Sequence, residues 1–220
     1  MLDQQDLIQK IHASGYRFVL VSSGGGSDAV SDLLRVPGAS NSVLESYIPY
    51  ARESLDYYLL KKPDKYCSED TTLSMAAKAF SAAKKIDSKS HPRKLLGIAI
   101  TASLATSYSK KGDHKFFIAI QTHKYSKSYR YKFEKGALTR AQEETLLTQY
   151  IILAIAGACE VETNVTETEN LKITTVEAKK NWVKLVDNKI DFDASSSRIP
   201  ELIFPGSFNP LHSGHHEMSK

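Results

Sequence analysis

Apolar residues along this 220-residue chain change their period several times, and each change marks an element. Leu7, Ile8 and Ile11 share one face of a helix that Asp3 caps and Gly15 stops after about Ala13. Tyr16 to Ser22 (YRFVLVS) is a β-prone run leading into Ser23-Gly24-Gly25-Gly26-Ser27. Ala29, Val30, Leu33 and Leu34 then fall at helical core spacing until Pro37-Gly38. Val43 to Ile48 reads as a second strand and Ala51 to Leu60 as a helix. Cys67-Ser68-Glu69-Asp70 starts a longer alanine-rich helix reaching about Lys85. Leu95 to Thr101 (LLGIAIT) is continuously apolar, as a strand buried on both faces must be.

Alternation returns in His114 to Thr122 and Ser128 to Lys135, which read as a hairpin. Thr139 and Gln142 form a capping box for a helix to about Cys159. Strands alternating with helices predict a layered α/β domain over residues 1–161. Residues 162–198 differ in character: Glu162 to Glu169 is polar and acidic, a short helix is predicted around Trp182 and Leu185, and Ala194-Ser195-Ser196-Ser197 is a linker by composition. Ile199 to Phe204 is one more predicted strand, opening a segment over 199–220.

Composition narrows the function classes. With 41% hydrophobic and 25% charged residues the chain can bury an ordinary core. The formal net charge is only +4 and the Lys and Arg residues are scattered, so no nucleic-acid partner is expected. The longest apolar run, Tyr150 to Ala158, is far short of the roughly 20 residues a membrane span needs. No basic-then-apolar leader precedes the first helix. Cys67 and Cys159 read as two reduced, buried thiols. These features together predict a cytoplasmic protein without a membrane partner. Tyr125, Tyr129, Tyr131 and Phe133 read as sheet residues rather than a base-stacking platform, because no basic residues are arranged around them. Lys110-Lys111-Gly112-Asp113-His114 reads as a turn before a strand, either solvated or facing a binding cleft.

Residues 204–216 read Phe-Pro-Gly-Ser-Phe-Asn-Pro-Leu-His-Ser-Gly-His-His. This resembles the Gly-x-Phe-x-Pro-x-His-x-Gly-His signature of the nucleotidyltransferase superfamily, which includes nicotinamide-nucleotide and pantetheine-phosphate adenylyltransferases and the cytidylyltransferases. Gly206, Phe208, Pro210, His212, Gly214 and His215 match it, with Ser207 inside the loop. The resemblance implies the first strand and phosphate loop of a Rossmann-like domain. In it, glycines let the backbone approach phosphate, while His212 and His215 stabilise charge on a leaving pyrophosphate. A metal site built from His212, His215 and His216 is the alternative reading; isolated histidines would need further ligands for it. The chain stops at Lys220, before the further βα units such a domain requires, so no transfer activity is expected from these residues alone. ATP or CTP with magnesium is expected only for a complete second domain.

A second resemblance covers about residues 5–160. Val21-Ser22-Ser23-Gly24-Gly25-Gly26, Val36-Pro37-Gly38-Ala39-Ser40 and Ile48-Pro49-Tyr50 are similar in order and spacing to the CinA carboxy-terminal domain family, whose characterised members are nicotinamide-nucleotide deamidases. The resemblance implies a serine nucleophile at Ser23, an assisting tyrosine at Tyr50 and a small nucleotide held near Gly24, Gly25 and Gly26. It also implies a lysine base, but that position falls on Leu55. Leucine cannot take a proton, and general-base assistance is worth roughly 10²–10⁴ in rate. Arg52 stays protonated and cannot substitute. Three readings therefore stand: a protein of nucleotide metabolism pairing a CinA-like domain with nucleotidyltransferase chemistry, a degenerate module that binds a nucleotide or self-associates, or a scaffold that binds nothing small. No cofactor or metal is expected in the first domain. A homodimer is implied by the resemblance alone.

Overall fold

The computed structural model describes residues 3–108, 110–191 and 193. The predicted strand at Ile199 to Phe204, the Ala194–Ser197 linker and the whole Phe204–His216 motif, including Gly206, Ser207, Phe208, Pro210, His212, Gly214 and His215, lie outside the described residues.

The elements run α1 (Gln4–Ala13), β1 (Arg17–Ser23), α2 (Ser27–Arg35), β2 (Val43–Tyr47), α3 (Arg52–Leu59) and α4 (Glu69–Ile86). They continue with β3 (Leu95–Ser103), β4 (Lys115–Gln121), β5 (Tyr125–Lys132), α5 (Arg140–Ala158), β6 (Leu171–Glu177) and α6 (Lys180–Val186). The strands form one six-stranded sheet in the order β2-β1-β3-β4-β5-β6. β1 is parallel to both β2 and β3, whereas β3, β4, β5 and β6 are successively antiparallel.

Alternation along the strands divides two cores. Phe18, Leu20, Ile98, Ile100, Phe116 and Ile118 face α1, α2 and α5 through Ile8, Ile11, Leu33, Leu147 and Ile151. Val19, Val21, Leu95, Ala99 and Ala119 face α3 and α4 through Leu55, Met75, Ala76 and Ala79. The alanines let α4 lie close on the sheet. A Cβ on Gly97 of β3 would stand 2.1 Å from the Ala76 carbonyl oxygen and 2.2 Å from the Phe80 nitrogen. The architecture is thus a three-layer α/β/α sandwich, the layered α/β class expected.

Most predicted elements are present, and the differences have local causes. The α5 capping box forms between Thr139 and Gln142. Asp3 precedes α1 without a side-chain cap; its backbone carbonyl accepts from Leu7 instead. Leu34, predicted to face the core, is exposed on α2, where Ala29 and Leu33 carry the burial. The sequence reading closes the sheet before residue 161, but β6 adds a sixth strand on β5. Leu171 is buried and Ile173 packs partly on the core two residues on, a short alternation that follows the acidic stretch. Tyr129 and Phe133 are core residues, and Tyr131 stacks on Phe116 with ring centroids 5.0 Å apart. Among the described residues no helix is long and apolar enough to cross a membrane.

Candidate functional site

From β1 the chain passes to β2 on one side, and it later returns to β3 on the other. The carboxyl ends of β1 and β3 therefore flank a topological switch point, where open α/β sheets leave a crevice. Ser23 pairs in register with Thr101, so the glycine turn after β1 leans on the end of β3. Gly24 (φ +83°) and Gly26 (φ +89°) take left-handed backbone, and a Cβ on Gly24 would stand 2.1 Å from the Ala102 carbonyl oxygen. Both conformation and contact require glycine there.

The two serines of the turn diverge. Ser22 is buried on the α5 side, and its hydroxyl donates to the Gly25 carbonyl. Ser23, next along the strand, points to the opposite face and donates to the Pro49 carbonyl at 2.9 Å. A cleft of about 530 Å³ opens beside the turn, lined by Ser22, Gly24, Gly25, Tyr50, Arg140 and Glu144 among others. Tyr50 is two-thirds exposed on its wall. The structure thus brings Gly24, Gly25 and Tyr50 to one cleft, and Ser23 is not among the residues lining it.

A carboxylate already sits where the turn meets α2. Glu144 Oε1 accepts from the Gly26 N–H at 2.6 Å, and the Asp28 N–H lies 3.5 Å from the same oxygen. The free donors and positive end of this helix therefore face a resident anion. Arg140, one turn earlier on α5, donates to the Ala105 carbonyl at 3.2 Å and the Gly24 carbonyl at 3.3 Å.

Position 55 carries no base. Leu55 is 1% exposed and packs in the core formed with α4, facing Val21 and Met75 rather than the cleft. Lys61 and Lys62 line a separate depression beside Asp64 and Asp70. Neither supplies an amine to the glycine turn.

A second cleft of about 540 Å³ lies beyond the first, beside the segment joining β3 to β4. Lys110, His114, Lys135 and Arg140 line it, with the exposed Tyr108 among the remaining lining residues. Lys110 Nζ donates to Ser103 Oγ at 2.8 Å and to the Leu104 carbonyl at 2.5 Å, and burial holds its pKa below the ordinary lysine value. Lys135 donates to the Lys110 carbonyl. Beneath them Glu143 is fully buried, bonded to His114 Nδ1 at 2.7 Å and accepting from the Ala105 N–H at 2.6 Å. The sequence left Lys110 to His114 open between a solvated and a cleft-facing turn; Lys110 and His114 line the cleft, and what sequence reasoning missed is the buried Glu143 beneath them. One signal was available: Glu143 shares the helical stripe of Leu147 and Ile151, so its carboxylate had to be buried and bonded.

The thiols differ in depth. Cys159 is buried, and burial pushes its pKa up to about 12. Cys67 is partly buried beside α4, and burial raises it as well. Among the described residues no group of three or more His, Cys, Asp or Glu side chains is placed to hold a metal ion.

No family model and no curated protein matches this sequence. Several solved structures do share the fold. The competence/damage-inducible protein CihA of Agrobacterium tumefaciens superposes with a TM-score of 0.55 at 13% identity, over 70% of this chain and 94% of that one. A competence-damaged protein (CinA) superfamily member of Enterobacter cloacae gives 0.58 at 14% identity, over 72% and 94%. A competence or damage-inducible protein of Enterobacter asburiae gives 0.56 at 15%, over 73% and 98%. The α/β domain is therefore similar in fold to the CinA superfamily.

Proposed function

We propose that this is a protein of nucleotide metabolism whose α/β domain binds a small mononucleotide of the nicotinamide type at the β1–β3 crevice without hydrolysing its amide. The observation that carries this reading is the pairing of an open, arginine-bearing cleft at the switch point with a core leucine where a serine's base would stand. The CinA-type fold supports the ligand class. The Ser23 hydroxyl is engaged by the Pro49 carbonyl, and position 55 offers no amine. A serine without a base is a poor nucleophile at neutral pH.

In this proposal the Gly206–His215 motif is the phosphate loop of a nucleotidyltransferase unit, using ATP or CTP with magnesium in a complete domain. Binding by the first unit would then hold a mononucleotide of the class that the second consumes. The test is a thermal-shift titration with nicotinamide mononucleotide, run beside an ammonia assay. A ligand at 100 times its Kd stabilises by about 2.7 kcal/mol, enough to read as a clear rise in Tm. Stabilisation without ammonia release supports the binding reading. Ammonia release that disappears in Ser23→Ala would establish hydrolysis instead. A full-length protein that releases no pyrophosphate from ATP or CTP with any mononucleotide would remove the transferase half.

A further inference from the structure

We propose that the second cleft, bounded by Lys110, Lys135 and Arg140, is the anion site that receives the ligand's phosphate, and that the glycine turn is not. This rests on the mononucleotide reading above and assigns its charged end.

The glycine turn is the conventional place for phosphate, but here Glu144 fills it. Its carboxylate holds the Gly26 N–H at 2.6 Å, so an arriving phosphate would meet a like charge at the α2 end. Asp28 in the first turn of α2 adds a second. The neighbouring cleft has the opposite balance. Three cations reach it from three separate segments: Lys110 before β4, Lys135 after β5 and Arg140 on α5. Their hydrogen bonds go to carbonyls and one hydroxyl. Among the described residues none of the three has a carboxylate within 4.0 Å. Glu143 is the carboxylate that acts most on Lys110, but His114 and the Ala105 N–H hold both its oxygens. Asp113, nearby in the chain, pairs with Lys132 at 3.3 Å.

Buried Glu143 offsets part of the charge on Lys110, but Arg140 and Lys135 repel it and Lys110 also carries a desolvation penalty. A dianion in the cleft relieves both. The site is built on the three cationic side chains rather than on the α5 N-terminus, where the capping box already occupies the Thr139 and Gln142 N–H groups. The volume of about 540 Å³ suits a mononucleotide phosphate with part of its ribose. Arg140 lines both clefts, so a ligand phosphate in the second leaves its base directed at the first, toward Tyr50.

The experiment is calorimetric titration of the full chain with nicotinamide mononucleotide, its dephosphorylated riboside and pyrophosphate. The proteins are wild type, Lys135→Met, Lys110→Met and Glu144→Gln. Lys135 is exposed, so its variant folds whatever happens to Lys110. The expected result is that the mononucleotide binds and the riboside binds far more weakly. Lys135→Met and Lys110→Met each lose about tenfold or more, the usual worth of a charge-assisted hydrogen bond, and Glu144→Gln changes affinity by less than about threefold. If both lysine variants bind like wild type while Glu144→Gln tightens the mononucleotide by about tenfold, the phosphate sits at the glycine turn. That overturns this inference and leaves the mononucleotide reading standing. If pyrophosphate binds in a Lys135-dependent way and the mononucleotide does not, the anion site stands and the nicotinamide reading falls. No binding of either overturns the anion site.

Discussion

Leu55→Ala tests whether position 55 serves the core or the chemistry. The side chain is 1% exposed and is the buried anchor of α3, an eight-residue helix on the α4 side of the sheet. Truncating a buried leucine to alanine costs about 2–5 kcal/mol, depending on how far the surroundings collapse. So short a helix can slide inward, which places the expected loss near 3 kcal/mol. For a domain of this size that lowers Tm by about 6–12 °C. Leu55→Lys is the sharper variant, because it restores the residue that a serine–lysine site requires. An ammonium in this core would have Val19, Val21 and Met75 as neighbours, so it is expected to destabilise more than alanine.

Circular-dichroism melts and urea titrations of the three proteins give both quantities, with ammonia release from nicotinamide mononucleotide measured in parallel. An alanine variant melting within about 2 °C of wild type would mean that α3 is not anchored as described. A lysine variant with wild-type stability and new ammonia release would refute the reasoning more deeply. It would place position 55 beside the substrate and make the present protein one substitution from a working hydrolase.

Glu143→Ala should be among the most damaging polar substitutions, because it strands buried His114 and the Ala105 N–H; about 3–5 kcal/mol is expected in urea titration, and less for Glu143→Gln. Asp87 lies below the ordinary carboxylate range because Ser90 and Arg17 donate hydrogen bonds to it. Its folded pKa is depressed, so its contribution is present above about pH 4 and lost as pH falls through the folded value. Asp87→Asn should accordingly flatten the stability–pH curve below about pH 4, and an unchanged curve would dismiss the pair. Cys159, at about 12, and the raised Cys67 should both resist a disulfide reagent at pH 8 until the chain unfolds; a rapid phase in native protein would contradict their burial.

The local signals that survived into the structure share a property: each is decided by a few adjacent residues. YRFVLVS and LLGIAIT became β1 and β3, and Thr139 with Gln142 became a formed capping box. β6 escaped notice because its burial is limited to Leu171 and part of Ile173; the rest of that edge strand is exposed and, apart from Val176, polar, so composition spoke for a connector. The crevice was legible as a strand followed by Ser23-Gly24-Gly25-Gly26. What filled it was not, since Glu144 comes from a helix 118 residues beyond Gly26. Part of the glycine signal also proved steric, with Gly24 flat against the Ala102 carbonyl.

The first turns of α5 explain why so much of the site was hidden. Adjacent residues on a helix diverge by about 100°, so neighbours in sequence face different surroundings. Glu143 turns inward and ties the β3–β4 connection through Ala105 and His114, while Glu144 reaches the glycine turn. Arg140 bridges the carbonyls of Gly24 and Ala105, joining the two clefts. Read as a string, Arg-Ala-Gln-Glu-Glu is an ordinary solvated helix start. Folded, it sets the charge on both sides of the switch point, negative at the glycine turn and positive beyond it. If the proposed anion site holds, side chains from the first turns of α5 would orient a ligand with an anionic end, and the glycine turn would be a wall of the crevice rather than its phosphate cradle.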